Sequence, residues 1–196
     1  LSEQSRRRGR PAAAMRDAEL FGAAERSAVY RAIHARRDMR HFAGGTLDEA
    51  VLARLLEASH AAPSVGLMQP WRFVRITEGA LRAAIADLVE AERQATAQVI
   101  GARGDAFLDL KVEGIRDCAE LLVAALAPDD GTVFGRRTLP QDTALASVAC
   151  AIQTLWPAAR AANLGLGSVS LFDPKALAAP LPLPLRAPPV PPLLPR

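Results

Sequence analysis

Between Thr143 and Ala162 the apolar residues Leu145, Val148, Ile152, Leu155 and Ala159 recur at helical spacing, and Asn163-Leu164-Gly165 then supplies a left-handed stop. A helix of that length with an apolar stripe must be covered, so the repeat predicts a central buried helix around which the rest of the chain is organised. Pro157 falls inside it. A mid-helix proline removes one hydrogen bond and costs about 3 kcal/mol, so a kink is expected there.

The partners of this helix are legible in outline. From Ala23 to Arg37, Val29 and Ile33 stand one turn apart among charged residues, which predicts an amphipathic helix. Thr46-Leu47-Asp48-Glu49 has a capping-box pattern, and Val51, Leu52, Leu55 and Leu56 continue a second helix toward His60 and Ala62-Pro63. Trp71 to Ile76 (WRFVRI) reads as a strand, Ala80 to Gln98 as a helix, and Ser168 to Phe172 (SVSLF) as a further strand. Leu121 to Leu126 is a continuous apolar run that fits a strand buried on both faces, with a helix as the competing reading. Helices alternating with strands over 196 residues, half of them hydrophobic, suit one domain of about residues 23–177. Residues 1–22 read as a flexible lead-in.

Several classes are excluded by composition. The net charge is only +3 and the arginines are dispersed, so no nucleic-acid footprint is indicated. Cys118 and Cys150 are far apart, with neither disulfide-framework nor metal-ligand spacing, and a reducing cytoplasm suits them. No apolar run is long enough for a membrane helix, and no metal is expected.

Three short stretches carry candidate chemistry. Arg36, Arg37 and Arg40 at a helix end can hold a phosphate through charge-assisted hydrogen bonds, or can simply complement the helix macrodipole. Asp38 lies between them, either as a functional carboxylate or as half of a surface ion pair. Ala61-Ala62-Pro63-Ser64-Val65-Gly66-Leu67-Met68-Gln69-Pro70-Trp71 places a small-residue turn before a strand, as close approach to a flat ring requires, though a plain helix-to-strand loop reads the same way. Gly165-Leu166-Gly167 leads to Ser170, whose hydroxyl can donate or accept. His60 reads equally as a ligand contact or as a cap on the last helical turn. Trp71 and Trp156 are expected in the core, and His34 and His41 on the surface.

Taken in this order, these stretches resemble the nitroreductase-like flavoproteins, and within them the 5,6-dimethylbenzimidazole synthases. Ordinary reductases of that group carry a serine between the arginines and an asparagine before the QPW. This chain reads Arg37-Asp38-Met39-Arg40 and Gly66-Leu67-Met68-Gln69-Pro70-Trp71 instead. Leu110 to Arg116, Phe134 to Thr138, and Ala151 to Trp156 with Ala158 to Ala161 extend the resemblance over about residues 29–174. It implies an α+β fold with a central mixed sheet flanked by helices, in a homodimer with flavin sites at the subunit interface. It also implies an enzyme that consumes reduced FMN with dioxygen, releasing 5,6-dimethylbenzimidazole, the lower ligand of cobalamin, and erythrose 4-phosphate, with a separate flavin reductase supplying the substrate. By the same resemblance Asp38 and Ser170 are catalytic, and Arg36, Arg37, Asp38, Met39, Arg40, His60, Gly66, Arg103, Val112 and Ser170 contact the flavin.

Beyond Pro174 the chain departs from that pattern. Residues 178–196 form a proline- and leucine-rich tail, with eight of the fifteen prolines after residue 179. Proline cannot donate to a sheet ladder, so residues 180–195 are expected to make no strand. Two other functions therefore stand beside the synthase: an NAD(P)H-dependent nitroreductase or quinone reductase, and an inactive flavin-binding remnant.

Overall fold

The computed structural model describes residues 20–128, 133–134, 137–138, 141–181 and 189–195. The lead-in expected over residues 1–22 lies, up to residue 19, outside the described residues. Six helices and six strands follow in the order α1 (Ala23–Ala35), α2 (Glu49–His60), β1 (Trp71–Arg75), α3 (Gly79–Val99), α4 (Gly104–Leu108), β2 (Leu122–Leu126), β3 (Val133–Phe134), β4 (Arg137–Thr138), α5 (Gln141–Ala161), β5 (Leu166–Ser168), α6 (Pro174–Ala178) and β6 (Pro189–Pro195).

All five residues of β2 are buried, which settles the Leu121–Leu126 run as a strand covered on both faces. Its alternation sorts the core into two layers. Leu122, Ala124 and Leu126 join Trp71, Leu52, Leu55, Val148, Ile152 and Leu155 beneath α2 and α5. Leu121 and Val123 join Ile76, Ile85, Val89, Val169, Phe172 and Leu177 beneath α3 and α6. Period-two side chains on one strand thus hold a helix–sheet–helix sandwich together. The sheet order is β1-β2-β6-β5, and every pairing of these strands is antiparallel. Among the described residues, parallel pairing enters only through an isolated bridge between Asp38 and Leu166.

Helix α5 is the central helix, but its buried stripe differs from expectation. Val148, Ile152, Leu155 and Ala159 face inward with Ala144 and Ala151, whereas Leu145 is 39% exposed. The small alanines let α2 approach closely, and the buried Ser59 hydroxyl donates to the Ala151 carbonyl across that contact at 2.8 Å. Pro157 lies within the helix. The carbonyl left without its usual donor belongs to Gln153, on the exposed side, where water can satisfy it. The stop after α5 is a Schellman closure: Asn163 has φ 58°, Asn163 N–H donates to Arg160 and Leu164 N–H to Ala159.

Other elements shift by a residue or two. Asp48, not Thr46, caps α2, accepting from the Ala50 and Val51 amides. The strand expected over Ser168–Phe172 is instead Leu166–Ser168. Helix α1 forms as expected but buries no residue, with Val29 47% and Ile33 50% exposed, because no other described element covers that face.

The largest correction concerns the tail. Residues 189–195 do make a strand, lying between β2 and β5. The register pairs Leu122 with Leu193 and Ala124 with Val190, so Pro191-Pro192 together oppose the single residue Val123 in a bulge. Pro189 and Pro195 stand at the strand ends. Prolines are thus confined to the places where a missing N–H is tolerated.

Burial distinguishes the two thiols, both free. Cys118 is 3% exposed, and desolvation pushes its thiol from 9.0 up to about 11, whereas Cys150 is exposed. The folded chain therefore holds the Cys118 proton more tightly. That contribution to stability is complete below pH 9 and is lost as pH rises toward about 11. Titration with a disulfide reagent at pH 8 should show one fast thiol, Cys150, and a second released only on unfolding. Two fast thiols would contradict this packing.

Candidate active site

The site grows from the end of α1. Arg36 leaves the helix with φ −59° and ψ 131°, and the extended residues that follow run along β5. Met39 N–H donates to the Leu166 carbonyl at 3.1 Å, which sets Asp38 beside the strand. The Asp38 carboxylate then accepts three donors: Ser168 N–H at 2.9 Å, and the two terminal nitrogens of Arg40 at 2.7 and 2.5 Å. Such a bidentate pair fixes both the rotamer and the plane of the carboxylate. Asp38 remains 39% exposed, so it is held firmly but stays open to a ligand.

The close approach needs Gly167. A Cβ there would lie 2.1 Å from the Met39 carbonyl oxygen and 3.3 Å from Arg40 Nη1. Val169 turns into the core, while Ser170 just after it is exposed and its carbonyl accepts from Phe172 N–H. Asp38 and Ser170 are thus anchored to the same strand region, without a hydrogen bond between them among the described residues.

Alongside Asp38 lies a cleft of about 420 Å³, lined by Arg36, Arg37, Met39, Trp156, Arg160 and Leu166 among others. Arg36 stacks over the Trp156 ring at 5.7 Å, and the indole N–H donates to the Leu166 carbonyl at 3.2 Å. Trp156 is therefore a wall of the cleft rather than a purely core residue. Trp71, at 4% exposure, is core as expected.

The remaining candidates lie elsewhere in the chain. His60 ends α2, where its Nδ1 accepts from the Trp71 indole at 3.3 Å and its carbonyl from the Gln69 amide at 3.2 Å. With Nδ1 accepting, the nitrogen of this exposed ring left to donate is Nε2. Gly66 belongs to a strained loop: Gly66, Leu67 and Gln69 have φ of 55°, 55° and 45°. Two of these are not glycine, and backbone strain of this kind concentrates at functional sites. Ser64 Oγ accepts from Gln69 N–H, and Val65 N–H donates to Ser147 Oγ, which ties the loop to α5. Arg103 is exposed at the turn between α3 and α4. Val112 lines a separate cleft of about 270 Å³ with Glu90, Arg93 and Lys111. Arg36, Arg37, Asp38, Met39 and Arg40 are brought together, but within one chain no described contact joins them to His60, Gly66, Arg103 or Val112.

Ser168 and Arg160 were missed. Ser168 contributes a backbone N–H, which no side-chain pattern reveals. Arg160 was legible only as a base in the last turn of a helix. Gly167→Ala should cost about 1–3 kcal/mol in urea unfolding, because the Met39 backbone cannot yield without opening the Asp38 clasp. At Gly79 a Cβ meets nothing within 4 Å, and Ala there should be neutral or stabilising by up to about 1 kcal/mol. Equal stability of both variants would refute the close approach.

Residues 33–190 match the Nitroreductase family. The chain is 43% identical over 174 residues to a 5,6-dimethylbenzimidazole synthase of Rhodospirillum rubrum, covering 87% of this chain and 82% of that one. In fold it resembles an oxidized iodotyrosine deiodinase bound to FMN and 3-iodo-L-tyrosine, with TM-score 0.70, 19% identity, and coverage of 85% and 88% of the two chains. It also resembles a BluB-like flavoprotein from Clostridium difficile 630, with TM-score 0.64, 16% identity, and coverage of 84% and 87%. With the match spanning most of the chain, this protein belongs to the nitroreductase family.

Proposed function

We propose that this chain is a 5,6-dimethylbenzimidazole synthase, fragmenting reduced FMN with dioxygen in the synthesis of the cobalamin lower ligand. The observation that carries this reading is the clasped carboxylate of Asp38, at the position where the reductases this sequence resembles carry serine. The identity to a named synthase supports it.

The site suits the flavin chemically. A cleft of about 420 Å³ falls within the roughly 300–1,000 Å³ common for small-molecule sites, and its guanidinium groups match a phosphate. When bound, the reduced ring supplies the electrons that dioxygen takes up. Asp38, oriented by Arg40 and Ser168 N–H, is placed to accept or relay a proton on its exposed side. Ser170 offers a hydroxyl donor and acceptor to the polar edge of the ring. His60 offers an Nε2–H, and the loop around Gly66 offers backbone for close approach.

A homodimer is part of the proposal. Val29, Tyr30 and Ile33 on α1, with Phe21 just before it, are 47–62% exposed, an apolar face that a second copy would cover. A dimer would also allow Arg103 and Val112 of one subunit to approach the Asp38 site of the other. A separate flavin reductase would supply reduced FMN. Two free thiols agree with work in a reducing cytoplasm, and no described helix is long and apolar enough to cross a membrane.

Incubation with reduced FMN in air should yield 5,6-dimethylbenzimidazole by mass spectrometry. Recovery of only intact, reoxidised flavin would overturn the assignment. Asp38→Asn should lower product formation about 10²–10⁴-fold while flavin affinity changes little, and a large loss of affinity would make Asp38 structural instead. Val29→Glu with Ile33→Glu should shift the chain from dimer to monomer on size exclusion, and an unchanged elution would place the interface elsewhere.

A further inference from the structure

Of the arginines expected to hold a phosphate, most are committed to other partners. Both terminal nitrogens of Arg40 bind Asp38. Arg37 Nη1 donates to the carbonyls of His34 and Arg36. The Arg36 guanidinium lies above Trp156, and among the described residues it makes no side-chain hydrogen bond or ion pair. A phosphate entering this cleft beside Arg36 needs a second cation, and one lines the same cleft.

Arg160 projects from the last turn of α5 into the same cleft. It also lines an adjoining cleft of about 500 Å³ between α1 and α5, with Arg31 on the α1 side and Ala28, Ala32 and Ala35 as a smooth wall. The two clefts share Ala35, Arg160 and Asn163, so they adjoin. Among the described residues, no acidic side chain lines either. Among the described residues, the side chains of Arg31 and Arg160 make no hydrogen bond or ion pair.

The bland account is that these bases only offset helix dipoles, since α1 and α5 both end here. Magnitudes decide against it. Each helix end carries about half a negative charge, roughly one in total, against four guanidinium groups. The last carbonyls of α5 are moreover closed internally, with Ala159 and Arg160 accepting from Leu164 and Asn163.

We propose that Arg160, with Arg36, anchors the phosphate of FMN, and that Arg31 draws the anion through the adjoining cleft toward it. This rests on the reading of the chain as acting on FMN, and it makes Arg160 the residue that separates FMN from riboflavin. The full chain is titrated with oxidised FMN and with riboflavin, following flavin fluorescence. Arg160→Gln should weaken FMN about tenfold or more, as loss of a charge-assisted contact does, and leave riboflavin unchanged. Arg160→Lys should restore part of the difference, and FMN binding should depend less on salt in Arg160→Gln than in the parent. Equal affinity of the parent for both flavins, or equal weakening of both in Arg160→Gln, would overturn the anchor. Binding of oxidised flavin needs no turnover. If the parent makes no benzimidazole yet Arg160→Gln abolishes the preference for FMN, the activity falls and the anchor stands.

Discussion

A strand with no accessible face dictates most of this molecule. Because every residue of β2 is buried, a helical layer is required on each side of it, and its alternation decides which residues belong to which layer. The lower-lying consequences follow. Helix α5 must present small residues to come near α2 and the sheet, so Ala144, Ala151 and Ser59 occupy the contact. Only at the margin of the sheet, beyond this packed centre, can backbone and polar side chains be left open for chemistry.

The site occupies that margin. β5 is an edge strand, and the segment after α1 lies against it through a single parallel bridge and one amide-to-carbonyl bond. So short a contact would be weak by itself. The Asp38 carboxylate reinforces it by gathering Ser168 N–H and the Arg40 fork, so the group assigned to chemistry also fastens the segment that carries it. Gly167 permits the approach, and the neighbouring Trp156 and Arg36 form the wall of the cleft.

Much of this was legible in the residues. The apolar run of β2, the α5 repeat with its Asn163 stop, and the arginines around Asp38 all occur where the local pattern puts them, because each depends on neighbours in sequence. What escaped depends on neighbours in space. Leu145 has helical spacing like Val148, and only the position of α2 decides which of them is covered. Ser168 acts through its backbone. The α1 face of Val29 and Ile33 is apolar, yet no other described element covers it. The proline-rich segment is the sharpest case. Proline argues against a strand in general, and only the partner's register reveals a bulge that accommodates Pro191-Pro192.

The place of β6 has a consequence for how the site comes into being. Within the sheet, β5 touches no strand but β6, which is made later in the chain than every other described element. A growing chain can therefore stack α2, α3 and α5 around the β1–β2 pair while the strand that steadies Asp38 still lacks its sheet neighbour. Completing the sheet beside the proposed site requires the residues through 195. The packed core and the proposed site are thus separate in space, and β6 joins them by pairing with both β2 and β5.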